Sequence, residues 1–261
     1  MMQNCKNCSS PYTGNYCPQC GQKYIDYRYN LKDSIAWAFN SIFNMDKGFL
    51  FTSWALLLRP GKVVSEFLDG ITIKYAHPFR IIFIWATISA IIGVWAGTFE
   101  DTGIALNEAI GVDTKSLENT KKTMGLMKQY MSFIILGMVP FYAFATSLLF
   151  KSKKLNYAEH LIVNSYALSS SIMVGIPLTF LYAYLSHVSF ISYINFALGA
   201  IIISRVYAQV FQEKWYKVFF KYILAFLITF VSFLIVTVII TILYSLIVKF
   251  LGFENAFMPA K

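Results

Sequence analysis

No cysteine occurs after position 20, and acidic side chains are scarce: 13 Asp and Glu in 261 residues, against 22 Lys and Arg. The first absence leaves most of the chain without disulfide or thiolate chemistry. The second goes with a lack of catalytic patterns, since no paired carboxylates, phosphate-binding glycine loop or nucleophile–base arrangement appears. Charged residues of both signs make up only 13% of the chain, where a soluble domain carries about 25%. With 57% hydrophobic residues, the chain has too little polar surface to cover itself in water and belongs in a bilayer. Also missing is the basic start followed by an apolar run that a cleavable signal needs, so the amino terminus is expected to stay in the cytoplasm. No internal repeat is found, which weighs against a transporter built from duplicated halves.

All four cysteines lie in one short stretch, CKNCSSPYTGNYCPQCGQK, as Cys5-x2-Cys8, eight residues, then Cys17-x2-Cys20. Each pair is short enough to grip one ion from two sides of a tight turn, and two pairs make a tetrahedral thiolate set. Pro18 and Gly21 suit the second turn, glycine because the residue after the second ligand often needs positive φ. Four sulfurs with no open position describe a structural Zn2+ site, which folds a peptide too small to have its own core. A reducing cytoplasm favours this over disulfides, and the spacing favours it over an iron–sulfur centre or redox dithiols. Residues 1–24 are therefore read as a zinc ribbon with Cys5, Cys8, Cys17 and Cys20 as ligands.

Residues 25–75 are read as an amphipathic, interfacial segment. Ser34 is placed to cap a helix whose Ile35, Phe39, Ile42 and Phe43 share one face with Trp37 at its border, a pattern suited to the membrane interface. Phe49 to Leu58 is apolar but too short to cross, and Arg59-Pro60-Gly61 stops it, so it either dips into the headgroup region or packs under the bundle. Val63, Val64, Phe67 and Leu68 repeat the amphipathic pattern until Gly70 ends it.

Residues 76–261 hold five runs long enough to span: Phe79 to about Gly97, Tyr130 to Phe150, Leu161 to Ser186, Phe190 to about Gln209, and Phe219 to Val248. Orientation follows from the basic residues. Sixteen of the 22 Lys and Arg fall on the side of the ribbon: nine up to Arg80, then Lys151, Lys153, Lys154, Arg205, Lys214, Lys217 and Lys221. The other six are Lys115, Lys121, Lys122 and Lys128, in an expected loop, with Lys249 and Lys261. The positive-inside rule puts the ribbon in the cytoplasm and, after five spans, the carboxyl terminus outside. The net charge of +9 is then a matter of topology and anionic lipid, and no nucleic-acid partner is expected.

The runs CKNC, GNYCPQCGQK, FNMDKGFLFTSWALLLRPGKVVSEFLDG and KYAHPFR resemble an uncharacterised family of bacterial membrane proteins, in which a four-cysteine ribbon precedes an Arg-Pro-Gly-Lys segment and a multispan region. The likeness implies an inner-membrane location and brings no activity with it. The five-span layout is also similar to that of the Yip1-type membrane proteins of vesicle traffic.

Within the spans, Asn164, Asn195 and Arg205 are the candidate polar sites, Ser169, Ser170 and Ser171 are further helix-joining groups, Glu159 and His160 sit at the mouth of the third span, and His187 lies at an outer turn. Pro140 and Pro177 are placed to kink two spans. The reading is of an all-α integral membrane protein with about five transmembrane helices and a cytoplasmic zinc ribbon. It is expected to act without catalysis, as a membrane adaptor or lipid-organising protein in contact with the bilayer and with a cytoplasmic partner. A small-solute transporter or channel is the alternative, and a membrane-embedded enzyme the third reading.

Overall fold

The computed structural model describes residues 2–25, 28–31, 48–98, 114–151, 154–185 and 189–250. It is mostly helical. Two short strands, β1 (Gln3–Asn4) and β2 (Pro11–Tyr12), pair antiparallel at the amino terminus. Among the described residues seven helices follow: α1 (Gly48–Leu58), α2 (Pro60–Leu68), α3 (Pro78–Trp95), α4 (Thr114–Leu149), α5 (Tyr157–Tyr184), α6 (Ser189–Phe211) and α7 (Trp215–Phe250). Among the described residues, five helices are long and apolar enough to cross a membrane, over Pro78–Trp95, Tyr130–Leu149, Tyr157–Tyr184, Phe190–Phe211 and Trp215–Ile247.

The central element is α5. It packs against α3, α4 and α6 as well as α1 and α2, and 61% of its apolar window is buried. By contrast α7 touches α4 and α6, and only 11% of its window is covered by protein. Small residues let α5 and α6 approach closely. A Cβ on Gly175 would lie 2.7 Å from Asn195 Oδ1, and one on Gly199 would lie 2.7 Å from Ser171 Oγ.

The starts of α4 and α5 differ from the sequence reading. Residues 114–129, expected in a loop, are the first turns of α4, which continues without interruption to Leu149. The stretch from Thr114 to Lys128 contains no proline and is rich in Lys, Leu and Met, good helix formers, while its lysines, with Ser, Glu, Asn and Thr, keep its hydropathy below that of a span. The helix of the third expected span, α5, begins at Tyr157, four residues early, because Asn156 and Glu159 form a capping box. The Asn156 side chain accepts from the Glu159 backbone N–H at 2.9 Å, and Glu159 Oε2 accepts from the Asn156 N–H at 2.8 Å. Helices α4 and α5 run through Pro140 and Pro177. The expected interfacial residues Ile35, Trp37, Phe39, Ile42 and Phe43, and also His187, lie outside the described residues.

Arg59 breaks the chain between α1 and α2, with Pro60 at the first helical position. At its far end α2 closes in a Schellman motif: Gly70 has φ +93°, its N–H donates to Phe67 O, and the Ile71 N–H donates to Glu66 O. Val63, Val64 and Phe67 are fully buried, and Phe67 meets the Tyr166 ring edge-on at 5.5 Å, so α2 is fixed into the bundle. At its start Gly61 donates its N–H to Gln209 Oε1 at 3.1 Å, close to the end of α6. A Cβ on Gly61 would stand 2.1 Å from that oxygen and 2.4 Å from the Gln209 Cβ, which no rotation of the Gln209 side chain relieves. Gly61→Ala is therefore expected to destabilise the bundle by about 1–3 kcal/mol. Gly137→Ala, whose Cβ meets nothing within 4 Å, serves as the control. A lower melting temperature for Gly61→Ala and an unchanged or raised one for Gly137→Ala is the expected pair of results, and equal melting would show that α2 does not pack on α6.

Candidate metal centre

Two hairpins with one design build the amino-terminal ribbon. In the first, the Cys5 N–H donates to Ser10 O at 2.9 Å and the Ser9 N–H donates to Cys5 O at 2.9 Å. In the second, twelve residues on, the Cys17 N–H donates to Gln22 O at 2.9 Å and the Gly21 N–H donates to Cys17 O at 2.8 Å. Each turn wraps a Cys-x2-Cys pair and ends on a residue of positive φ, Ser9 at 62° and Gly21 at 74°. The strand pair β1–β2 closes the first hairpin, and the Tyr16–Lys23 bridge closes the second.

The two turns bring all four sulfurs within 4.8 Å of one another. Cys5 Sγ lies 3.5 Å from Cys20 Sγ, and Cys8 Sγ lies 3.6 Å from Cys17 Sγ. Sulfurs at the corners of a tetrahedron with metal bonds of about 2.3 Å stand roughly 3.8 Å apart, so the set suits one ion. No disulfide joins them. Their proton affinities divide by surroundings. Hydrogen bonds from Ser10 hold the Cys8 thiol down to about 6, and the Gln22 backbone lowers that of Cys20. Burial pushes the Cys17 thiol up to about 11. Thiolate is thus available at the rim near neutrality, while the buried sulfur loses its proton readily only to a cation that replaces the proton's charge. Apart from the cysteines, the ribbon's core is Tyr12 alone.

The ribbon is mounted on the helices by Gln22, a residue the sequence did not single out. Its side chain is almost fully buried. Nε2 donates to Gly70 O at 2.9 Å and to Thr72 Oγ1 at 3.2 Å, while Oε1 accepts from the N–H groups of Thr72 and Ile73 at 3.1 and 3.0 Å. The chain after the ribbon is held in turn. Arg28 is ion-paired with Glu159 and donates to Lys154 O at 2.7 Å. The Tyr29 hydroxyl donates to Phe67 O at 2.9 Å, and Asn156 Nδ2 donates to Tyr29 O at 2.7 Å.

Of Asn164, Asn195 and Arg205, Asn164 alone joins a network, which it shares with His160. Its Nδ2 donates to Thr146 Oγ1 at 2.9 Å and to His160 O at 2.7 Å, and its Oδ1 accepts from the Tyr207 hydroxyl. His160 Nδ1 lies 3.1 Å from the same Thr146 oxygen. All four residues are buried, and together they join α4, α5 and α6. Asn195 belongs to the α5–α6 contact at Gly175, and Arg205 lies exposed on α6; neither joins the Asn164 network. Thr146 and Tyr207 carry no sequence signal, since a lone hydroxyl in a span reads as ordinary.

Over residues 46–90, from just before α1 into α3, the chain is similar to a family described as "Protein of unknown function (DUF3667)". No curated protein and no solved structure matches the chain.

Proposed function

We propose that the chain is a five-span protein of the bacterial inner membrane whose zinc ribbon sits rigidly on the cytoplasmic face and docks a cytoplasmic protein, making it a membrane adaptor. Zinc is the favoured ion because a closed set of four thiolates suits a structural site with no redox role. When bound, it would supply a cross-link between Cys5, Cys8, Cys17 and Cys20 that a head of this size lacks.

The mount carries the reading. A merely tethered head would hang from a polar linker, whereas Gln22 and Arg28 fix this one to the 70–73 turn and to the start of α5. Tyr16 and Met2 are left projecting into solvent from the ribbon. Exposed aromatic and Met side chains on a rigid support are features of protein-binding surfaces. The basic-residue asymmetry supports the orientation.

One experiment tests both halves. A tag after Lys261 is expected to react with an impermeant reagent from outside, while a photoreactive residue at position 16 captures a discrete protein from the cytoplasmic side of native membranes. Reaction of both ends from one side would remove the five-span plan. No protein adduct at position 16, with topology as stated, would remove the adaptor role.

A further inference from the structure

Helix α1 has its polarity reversed relative to a helix lying on a water-soluble body. Taken at about 100° per residue, Leu57, Leu50, Trp54, Leu58 and Phe51 fall in that order across an arc of about 120°. All five are exposed, Leu50 by 78% and Trp54 by 64%. The two polar residues of the helix, Thr52 opposite this arc and Ser53 at its flank beside Leu57, are both buried. Thr52 Oγ1 donates to Gly48 O at 2.6 Å and accepts from the Ala76 N–H at 2.8 Å, and Ser53 Oγ accepts from Trp85 Nε1 at 3.1 Å. A water-facing helix would present Thr52 and Ser53 outward and hide Trp54.

Depth says what covers that face. Ser53 and Phe49 both meet Trp85, the latter ring to ring at 5.9 Å. Trp85 is the eighth residue of α3, about 10 Å in from its start. So α1 reaches no further than the first half of a spanning helix, within the thickness of one leaflet. Its own length, about 16 Å, is half of what a crossing needs. Its exit is cationic: the exposed Arg59 follows Leu58, matching the charge of anionic headgroups, and Lys62, paired with Glu66 at 3.6 Å, comes one turn later.

We infer that α1 is embedded in the cytoplasmic leaflet as a half-length helix, with Leu50, Phe51, Trp54, Leu57 and Leu58 against acyl chains and Arg59 at the phosphate level. This rests on the five-span reading, and the test separates the two. A benzophenone residue is placed singly at Trp54, at Phe230 on the exposed side of α7, and at Tyr16 on the ribbon, in the full chain in vesicles of phosphatidylethanolamine and phosphatidylglycerol. The expected result is a phospholipid-mass adduct at positions 54 and 230 and none at 16. An adduct at 230 alone, or a protein adduct at 54, overturns the inference and leaves the spans standing. Lipid at 54 but not at 230 overturns the five-span reading and with it the depth assigned to α1, as does the absence of lipid at both.

Discussion

Replacing Cys17 with Ser is expected to take the bound metal from about one ion per chain to none, because a four-thiolate site has no spare ligand and a hydroxyl does not ionise to replace one. Of the four sulfurs Cys17 is the most buried, at 2% exposed, so no water reaches the gap readily. Its backbone also holds the second hairpin, through the bonds to Gln22 O and from Gly21 N–H. Without the ion, the ribbon has only a tyrosine and three thiols to bury, too little to offset the entropy of ordering some twenty residues. Loss of order should pass to Gln22, two residues after Cys20, and release the 70–73 turn. The spans should be untouched, because α3, α5 and α6 pack through residues remote from the ribbon. Elemental analysis, with limited proteolysis of the amino terminus and far-ultraviolet circular dichroism of the same sample, checks each part. Retention of a full equivalent of zinc would mean that the ion is not held by these four sulfurs.

How much of this was legible in the chain depends on whether the signal was local. The cysteine spacing and Gly21 announced a two-turn cluster, since a Cys-x2-Cys turn is closed by its own neighbours. Ser9 was not legible: it occupies the same positive-φ position as Gly21, but serine is not a residue from which that backbone is inferred. The start of α5 was misplaced because capping residues are polar, so hydropathy trims the turn that Asn156 and Glu159 define. The run Phe49–Leu58 could be identified as too short to cross. Which of its faces turns outward was not readable, since periodicity has no contrast when nearly every residue is apolar. The Gln22 mount and the contacts of Asn164 to other helices were invisible for another reason: those partners lie 48 to 51 residues from Gln22 and 18 and 43 residues from Asn164, a separation that no sequence spacing reports.

Asn164 is where a substitution in the helices should leave a buried hydrogen-bonding partner orphaned. Its amide has three potential bonds in place: two donated, to Thr146 and to His160 O, and one accepted from Tyr207. Leucine has nearly the same shape, so Asn164→Leu removes the bonds without opening a large cavity. Thr146 keeps partners, because its hydroxyl also donates to Tyr142 O at 2.8 Å and sits beside His160 Nδ1. Tyr207 does not, since Asn164 Oδ1 is its acceptor and the ring is fully buried, held edge-on by Phe150 at 5.5 Å and by Phe211 at 5.8 Å. The cost should therefore be that of one orphaned hydroxyl, about 1–3 kcal/mol, rather than of a whole broken network. Membrane interiors set a lower bound, because measured side-chain hydrogen bonds between spans average about 0.6 kcal/mol when the unfolded helices find other partners. The distinguishing variant is Tyr207→Phe, which deletes the orphan: Asn164→Leu combined with Tyr207→Phe should be less destabilised than the sum of the two single changes. Unfolding free energies of all four proteins in bicelles complete the cycle. Strict additivity would show that Asn164 and Tyr207 do not act as a bonded pair, and would reassign Asn164 to simple packing between α4 and α5.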